Sequence, residues 1–553
     1  MLLNRWVNAF RNPLFLVAVI STIFTLFLLE KQLFIGVPYY DVFVYLNNAL
    51  IYAGIPVGNL SVIYLSPLMP FLSSLVFRTG FISEGVLFLL DGVLFIIGAV
   101  GLYLLFKERF NTPASFAGVL IYLSYPLTMV WSVSGGIDFP GVSLSLLVIY
   151  VLVLGVNKDS KLLYLVFPLF VLAFLAKYTS AILIFPLLFY LLINGNSQRN
   201  VKNIMMGVLA GLAVLTPFLF YVLYELGNLY SFLNIFTSTL FGSGATVNDL
   251  GYNPVKLYFL NNLLNYISVG PLTGIYGIIQ SPSRGYPSIL SYLIAFLVTI
   301  GLVLYICPGL KNKLKISSIS RATLLKVLLL LVFVVSGVYS FFSDSYIVAE
   351  LIFMAVLYLT YNLLGDEGKN FKLDLLFLSW LGAFFIFHSI IPVKEDRYFI
   401  TMLPALTYFI ILGLNSFIDK LGPKLKNGRV KTIFLVGIGL LFLSFSSATL
   451  IGHVTQEGYG FYVQSACNWL KEDDPHYLDK VIYSNYDPAA TWALKKEVKF
   501  GVPRLYVNLD AFSDYLKGNG ADYYIDAYST NPFIPGYHII FSNETVTIYQ
   551  NDY

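Results

Sequence analysis

Charged residues are scarce in this chain. Only 12% of its 553 residues are Asp, Glu, Lys or Arg, and 58% are hydrophobic, whereas soluble domains carry about 25% charged residues. The formal net charge of +4 is too small to indicate nucleic acid or another anionic polymer as a partner. These proportions exclude a disordered chain, a coiled coil and a soluble enzyme with one membrane tether. They indicate a chain that lies mostly within the hydrocarbon core of a membrane.

The residues of metal sites and disulfide scaffolds are also rare. The chain has two cysteines, Cys307 and Cys467, and four histidines. These are too few for a disulfide-stabilised fold or for a zinc site built from histidines. The motifs GxxxxGK[ST], HExxH and GxSxG are absent, as is GxGxxG after a strand. ATP-driven and nicotinamide chemistry therefore lack support. We expect no cofactor, and the sequence offers no support for a divalent metal.

Thirteen apolar segments approach the roughly 20 residues that a membrane helix needs. They lie at residues 14–30, 83–106, 113–133, 141–156, 162–177, 180–194, 204–224, 288–306, 322–341, 346–364, 373–391, 398–416 and 432–451. With a cytoplasmic N-terminus, every inside loop is rich in Lys and Arg, as the positive-inside rule requires. The sequence predicts a multi-pass α-helical plasma-membrane protein with about 13 transmembrane helices and an extracytoplasmic C-terminal region.

Three parts of the chain are predicted to face outward: loop 31–82, loop 225–287 and the tail 453–553. The first loop contains a proline-interrupted apolar stretch, 62–77, that is typical of an interfacial helix. The tail has a soluble composition and several β-prone runs, which lie at 480–483, 504–507, 523–525, 538–541 and 546–549. We therefore predict a membrane domain at 1–452 and a small α/β domain at 453–553.

Several ionisable residues gather at the predicted outer ends of the spans. They come from four separate loops and are Asp41, Asp138, Lys177, Lys394, Glu395, Asp396 and Arg397. Charges near membrane depth are costly and mark functional sites by default. Together these residues predict one outward-facing polar site above an apolar bundle.

Each of these residues also has a purely structural interpretation. Asp41 lies among aromatic and apolar residues, a desolvated setting that suits a general base, but it also fits a helix N-cap. Asp138 follows a Gly turn and fits a helix cap, and Lys177 fits a side chain that snorkels to the interface. Lys394 and Arg397 suit a clamp for a phosphate ester, or a solvated turn with internal ion pairs.

Four motifs, in this order, resemble the GT-C superfamily of polytopic glycosyltransferases, specifically its protein O-mannosyltransferase and aminoarabinose-transferase branch. They are Tyr39-Tyr40-Asp41 with the downstream Tyr64-Leu-Ser-Pro67, the turn from Ser134 to Pro140, the span end from Phe174 to Tyr178, and Lys394-Glu395-Asp396-Arg397-Tyr398 with Pro404. The resemblance covers about residues 1–450 and the outward tail.

The resemblance implies inverting transfer of a sugar from a polyprenyl-phosphate donor, such as dolichyl phosphate mannose, to a protein, lipid or glycan acceptor at the outer face. It implies that Asp41 is the base and that Asp138 positions sugar or acceptor. It also implies that Arg397 and Lys394, with Lys177, hold the lipid phosphate. The other residues predicted to bind substrate are Tyr40, Tyr64, His388 and Tyr398.

The chain departs from the family pattern in two places. No second carboxylate adjoins Asp41, so a dedicated metal site is not implied, and the tail lacks the Trp-Trp-Asp motif of the oligosaccharyltransferase branch. Two other functions stay open: a transporter or flippase of a lipid-linked or polar solute, and a non-catalytic sugar-binding or assembly subunit. The few ionisable residues in mid-span favour chemistry at the surface over translocation.

Overall fold

A computed structural model describes residues 12–58, 65–194, 198–240, 252–269, 286–313, 321–343, 345–365, 368–420, 428–452, 457–528, 532–543 and 545–552. Tyr64, predicted to bind substrate, lies outside these residues. So do parts of the predicted outer loop 225–287, at 241–251 and 270–285, and the predicted domain boundary after residue 452. The division into two domains at that boundary stays a prediction.

The described part of the chain contains ten helices long and apolar enough to cross a membrane. They are Pro13–Ile35, Glu84–Lys107, Asp138–Asn157, Val201–Leu226, Ile289–Cys307, Thr323–Phe342, Tyr346–Leu364, Lys369–Ile390, Asp396–Lys420 and Gly428–Gly452. Shorter apolar helices lie at Leu68–Phe77, Thr112–Leu123, Ser160–Ala176 and Tyr178–Ile193. Each predicted span overlaps one of these helices, and Leu68–Phe77 covers the predicted interfacial segment. The prediction of a multi-pass helical membrane protein is confirmed.

One predicted span, 113–133, is interrupted, and the backbone is also non-helical between the predicted spans 162–177 and 180–194. Helix Thr112–Leu123 stops ahead of Pro126, whose ring cannot continue a helix, and a short helix Pro126–Trp131 follows. Helix Leu163–Ala176 ends at Lys177, whose extended backbone (φ −151°, ψ 116°) separates it from the 3-10 helix Tyr178–Leu183. Non-helical backbone at membrane depth is tolerated where protein buries it or a cavity borders it. The second break carries Lys177, one of the charged residues described below.

The predicted outer segments are partly helical. Helices occur at Tyr40–Tyr52, Leu229–Leu240, Tyr258–Asn261 and Leu263–Ile267. The extension of the first membrane helix to Ile35 leaves only a short link to Tyr40. Asp41 therefore lies in the first turn of a helix that closely follows the first membrane helix.

The tail forms a five-stranded sheet with three helices, which confirms the predicted α/β domain. The strands are β1 Ile482–Ser484, β2 Lys499–Phe500, β3 Tyr523–Asp526, β4 Tyr537–Ser542 and β5 Thr547–Asn551, and the helices are Tyr459–Asp473, Asp487–Leu494 and Leu509–Gly518. The strand order is β2-β1-β3-β5-β4, with β1 parallel to β2 and β3 and the other pairs antiparallel. The strand predicted at 504–507 is wrong, because Pro503 begins a 3-10 turn there and β2 lies earlier in the chain.

The tail packs directly on the outer helix Tyr40–Tyr52, with which it shares one buried hydrophobic cluster. The Asn47 side-chain amide donates to the carbonyl of Pro488 at 2.8 Å. Gly460 allows a close approach to Phe43, since a Cβ atom at this glycine would lie 2.6 Å from the Phe43 ring. The tail is therefore fixed next to the segment that carries Asp41.

Candidate active site

Four charged side chains from separate segments meet at one end of the bundle. Asp41 lies in the first turn of helix Tyr40–Tyr52, and Asp138 is the first residue of helix Asp138–Asn157. Lys177 occupies the break after helix Leu163–Ala176, and Arg397 lies in the 3-10 helix Asp396–Met402. The structure thus brings together most of the outer charged residues that the sequence singles out.

These residues form two ion pairs. Arg397 donates to the Asp41 carboxylate, with Nη2 and Oδ2 2.8 Å apart. Lys177 donates to the Asp138 carboxylate, and both side chains of this pair are buried. The pairs act on each other electrostatically, since Asp138 also interacts with Arg397. The result is a small alternating array of two cations and two carboxylates.

Neither aspartate is the helix cap that the structural interpretation suggests. The N-cap positions are taken by Tyr39 and Ile137, whose side chains make no capping hydrogen bond. Lys177 does not snorkel to the interface either, because it is buried against Asp138. All three side chains are instead engaged in ion pairs of the site.

Aromatic rings form the walls around the charges. Trp131 stacks on Tyr39 with ring centres 4.3 Å apart, and the Arg397 guanidinium lies 5.5 Å from the centre of the Trp131 ring. Tyr398 contacts both cations, with its ring centre 5.7 Å from the Lys177 ammonium and 5.9 Å from the Arg397 guanidinium. Burial raises the pKa of Tyr39 despite the opposing effect of Arg397. Its hydroxyl therefore stays protonated beside the array.

A buried carboxylate supports the turn before Asp138. The N–H of Gly135 donates to Asp91 Oδ2 at 3.2 Å, and Asp91 is fully buried in helix Glu84–Lys107. Gly135 has a positive φ of 78°, and a Cβ atom there would lie 3.0 Å from Phe88 and Val42. The sequence alone assigns no role to Asp91. Its position shows that it anchors the turn that presents Asp138.

Lys394, predicted to hold the lipid phosphate, has backbone partners in the structure. Its buried ammonium donates to the carbonyl oxygens of His388 and Ser389, both at 2.9 Å, and to that of Ile391. A lysine has three N–H donors, and these carbonyls lie at the C-terminal end of a helix, where a cation is favourable. Lys394 therefore caps a helix in this structure, and its predicted contact with the lipid phosphate stays a prediction.

His388 lies behind the site and not on its surface. The His388 side chain is 2% exposed, its ring stacks on Tyr398 with centres 5.2 Å apart, and it shares a hydrogen bond with the Thr401 hydroxyl at 3.2 Å.

Asp396, beside Arg397 in the charged run, accepts hydrogen bonds from the hydroxyls of Tyr258 at 2.9 Å and Tyr266 at 2.7 Å. These contacts hold Tyr398 and its neighbour Arg397 in place. Nothing in the pattern around Tyr258 and Tyr266 distinguishes them from other tyrosines of the long outer loop.

Tyr40 points toward the tail. Its hydroxyl donates to Asp487 Oδ1 at 3.3 Å, and its ring packs on Tyr486 with centres 5.5 Å apart. Burial raises the pKa of Asp487 to about 6, although the Tyr40 hydrogen bond acts in the opposite direction. Sequence reasoning missed Asp487. The available signal was its position just after a strand, at the edge of a sheet where ligands commonly bind.

The described residues contain no group of three or more His, Cys, Asp or Glu side chains placed to hold a metal ion. The positive charge of the site comes instead from Arg397 and Lys177. Metal independence stays a prediction.

The fold and this site define a polytopic helical protein that holds paired cations and carboxylates next to a small α/β domain. A family model for dolichyl-phosphate-mannose-protein mannosyltransferases matches residues 65–222. No curated protein gave a significant match to the chain. The matched region includes Asp91, Asp138 and Lys177.

Solved structures share the overall fold. The crystal structure of ArnT from Cupriavidus metallidurans bound to undecaprenyl phosphate superposes with a TM-score of 0.59 at 12% identity and covers 97% of each chain. The apo structure of ArnT gives 0.58 at 12% identity and covers 99% of this chain and 98% of the other. An Archaeoglobus fulgidus oligosaccharyltransferase in complex with Zn and sulfate gives 0.48 at 14% identity, covering 97% and 73%.

The family match and the ArnT fold confirm the predicted resemblance to the GT-C glycosyltransferases. The fold is that of ArnT along nearly the whole chain, and the family match assigns the enzyme class, a membrane glycosyltransferase.

Proposed function

We propose that this protein transfers a sugar from a polyprenyl-phosphate donor to an acceptor hydroxyl at the outer face of the plasma membrane, with inversion at the anomeric carbon. The observation that carries the proposal is the contact of Arg397 with Asp41 inside the charged array. A cation for the leaving phosphate and a base for the attacking hydroxyl thereby lie side by side. The family match and the ArnT fold support this assignment.

In the proposed reaction, Asp41 takes the proton of the acceptor hydroxyl as the oxygen attacks the anomeric carbon. The bond from that carbon to the phosphate oxygen breaks, and the electron pair leaves with the lipid phosphate. Arg397 stabilises the negative charge that develops on the phosphate, supported by Lys177. Asp138 fixes the ammonium of Lys177 and so orients it within the array.

The surrounding groups shape the site for a lipid-linked donor. Trp131 and Tyr398 flank the Arg397 guanidinium with flat apolar faces that exclude water and strengthen its interaction with phosphate. Because the site lies at the end of the helical bundle, the polyprenyl chain stays in the bilayer while the headgroup reaches the charges. No extraction of an amphiphile is needed.

The first test is a transfer assay in liposomes with radiolabelled polyprenyl-phosphate mannose and glucose and a crude envelope acceptor fraction. Wild type is compared with Asp41→Asn and with Asp419→Asn. Asp419 is a matched control because it also pairs with a cation, Lys431, at 2.7 Å but belongs to a different part of the chain. We expect transfer by wild type and Asp419→Asn only, unchanged by a chelator. Labelled lipid that crosses the bilayer equally in all three proteins, without transfer, would instead support a transporter.

Membrane orientation is tested with single cysteines in a Cys307→Ser background. Asn519 lies exposed in a tail turn, and Asp159 lies exposed in a loop predicted to be cytoplasmic. An impermeant maleimide applied to intact cells should label Asn519→Cys, and should label Asp159→Cys only after permeabilisation. The reverse pattern would place the tail in the cytoplasm and contradict the proposed outer-face reaction.

A further inference from the structure

The edge of the tail sheet that faces Tyr40 is formed by the carboxyl ends of parallel strands. β1 ends at Ser484 and is followed by Tyr486 and Asp487, while the neighbouring strand β3 ends at Asp526 and is followed by Tyr528. In open α/β sheets, ligands bind in the crevice outside such strand ends.

The two loops at this edge are tied together by a buried amide. The Asn485 side chain donates to Asp526 Oδ1 at 2.7 Å and accepts from the N–H of Ala527 at 2.7 Å. Asp526 also accepts from the N–H of Tyr528 at 3.2 Å. These hydrogen bonds fix the backbone that carries Tyr486 and Tyr528. The edge is therefore preorganised.

Four rings from four segments pack at this edge and form a tyrosine cluster: Tyr40, Tyr459, Tyr486 and Tyr528. The buried ring of Tyr486 lies 5.5 Å from Tyr40, 5.5 Å from Tyr459 and 5.8 Å from Tyr528. Tyr459 stacks on Tyr528 at 5.6 Å. Tyr40 and Tyr528 are 42% and 52% exposed, so two of the four tyrosines are accessible to solvent.

Asp487 places a carboxylate within this cluster, where it accepts from the Tyr40 hydroxyl. Aromatic faces pack against the C–H faces of pyranose rings, and carboxylate oxygens accept hydrogen bonds from sugar hydroxyls. Tyr40 is also the chain neighbour of Asp41. A sugar packed on the Tyr40 ring would therefore present a hydroxyl beside the proposed base.

We infer that the tyrosine cluster and Asp487 form the acceptor site, and that the acceptor is a carbohydrate. This inference rests on the proposed function, since it assigns the second substrate of the same reaction. An extended peptide acceptor would be bound best along a sheet edge. The described sheet presents its edges at β2 and β4, whereas the cluster lies at the ends of β1 and β3.

The test uses the full chain in nanodiscs with radiolabelled polyprenyl-phosphate mannose. Acceptors are mannobiose, cellobiose and chitobiose, with a Ser/Thr-rich peptide offered in parallel. The variants are Tyr528→Ala, Tyr528→Phe, which keeps the ring, and Phe461→Ala, a matched control that removes a tail ring of similar exposure (47%). Saturation-transfer NMR measures binding of each saccharide without donor, so the acceptor site is read independently of turnover.

We expect Tyr528→Ala to raise the acceptor KM about tenfold at unchanged donor KM, Tyr528→Phe to raise it less because the ring is kept, and Phe461→Ala to behave like wild type. An unchanged acceptor KM in Tyr528→Ala would overturn the inference, as would saccharides that neither bind nor accept label. Transfer to the peptide alone would overturn the carbohydrate assignment. If no donor supports transfer, the proposed function fails, but saccharide binding that depends on Tyr528 would still support the site.

Discussion

Arg397 Nη2 donates a hydrogen bond to Asp41 Oδ2 at 2.8 Å. The residue proposed to bind the leaving phosphate is therefore hydrogen-bonded to the proposed base. Both side chains remain partly exposed, at 23% and 34%. In the proposed reaction, a donor phosphate that enters the site competes with Asp41 for the guanidinium. We therefore expect donor binding to release the Asp41 carboxylate toward the acceptor and so to couple the two substrates.

This coupling predicts a split between kcat and KM. Arg397→Lys should raise the donor KM about 10- to 100-fold, because lysine keeps the charge but loses the bidentate fork and the flat contact with Trp131. Asp41→Asn should lower kcat about 10²- to 10⁴-fold without raising the donor KM, since it leaves the guanidinium intact. Initial rates at varied donor concentration measure both effects. An unchanged donor KM in Arg397→Lys would remove Arg397 from the phosphate site.

The sequence predicts where the charged residues lie along the membrane normal, but it does not predict which side chains they contact. Asp41, Asp138, Lys177 and Arg397 each follow or precede an apolar run, so their placement at span ends follows from helix length. The pairing of Arg397 with Asp41 depends on how distant helices pack around the bundle axis. Hydrophobic periodicity contains no information on that packing.

Lys394 and Arg397 illustrate the same limit at short range. They lie three residues apart in one motif, and the sequence predicts a phosphate contact for both. A turn in the chain after Ile390 directs the ammonium of Lys394 back to the helix carbonyls, whereas the 3-10 helix that starts at Asp396 directs Arg397 to Asp41. Asp487 shows the same limit: its position after a strand can be read from the sequence, but its contact with Tyr40, 447 residues away in the chain, cannot.

Lys394→Met should destabilise the protein without affecting the donor. Loss of the ammonium leaves buried carbonyls unsatisfied, which costs about 1–3 kcal/mol. Thermal unfolding in detergent and the donor KM measure the two properties. Lys256→Met is a matched control, since Lys256 donates to the carbonyls of Phe341 and Phe342 at the end of another helix. A selective rise of the donor KM in Lys394→Met would restore the predicted phosphate contact.

The buried pair of Asp138 and Lys177 should show strong coupling in a double-mutant cycle. Asp138→Asn or Lys177→Met alone leaves one buried charge unpaired, which costs about 3–5 kcal/mol, and the double variant should recover part of this loss. The cycle at Asp419 and Lys431, where the aspartate side chain is 45% exposed, should give about 0–1 kcal/mol. Chemical denaturation of the detergent-solubilised protein measures both. Additive losses at Asp138 and Lys177 would contradict the buried ion pair.

The buried carboxyl of Asp487 predicts a pH dependence of stability. Its pKa rises from 3.8 to about 6 on folding, so between these values the folded state binds more protons than the unfolded chain. The free energy of unfolding should therefore decrease as the pH rises from about 4 to 6, by an amount on the order of 3 kcal/mol. Thermal unfolding followed by intrinsic fluorescence measures this slope. Asp487→Asn should remove that component of the slope while Asp522→Asn, a more exposed tail carboxylate, should retain it. Equal slopes in wild type and Asp487→Asn would show that Asp487 titrates as it does in the unfolded chain.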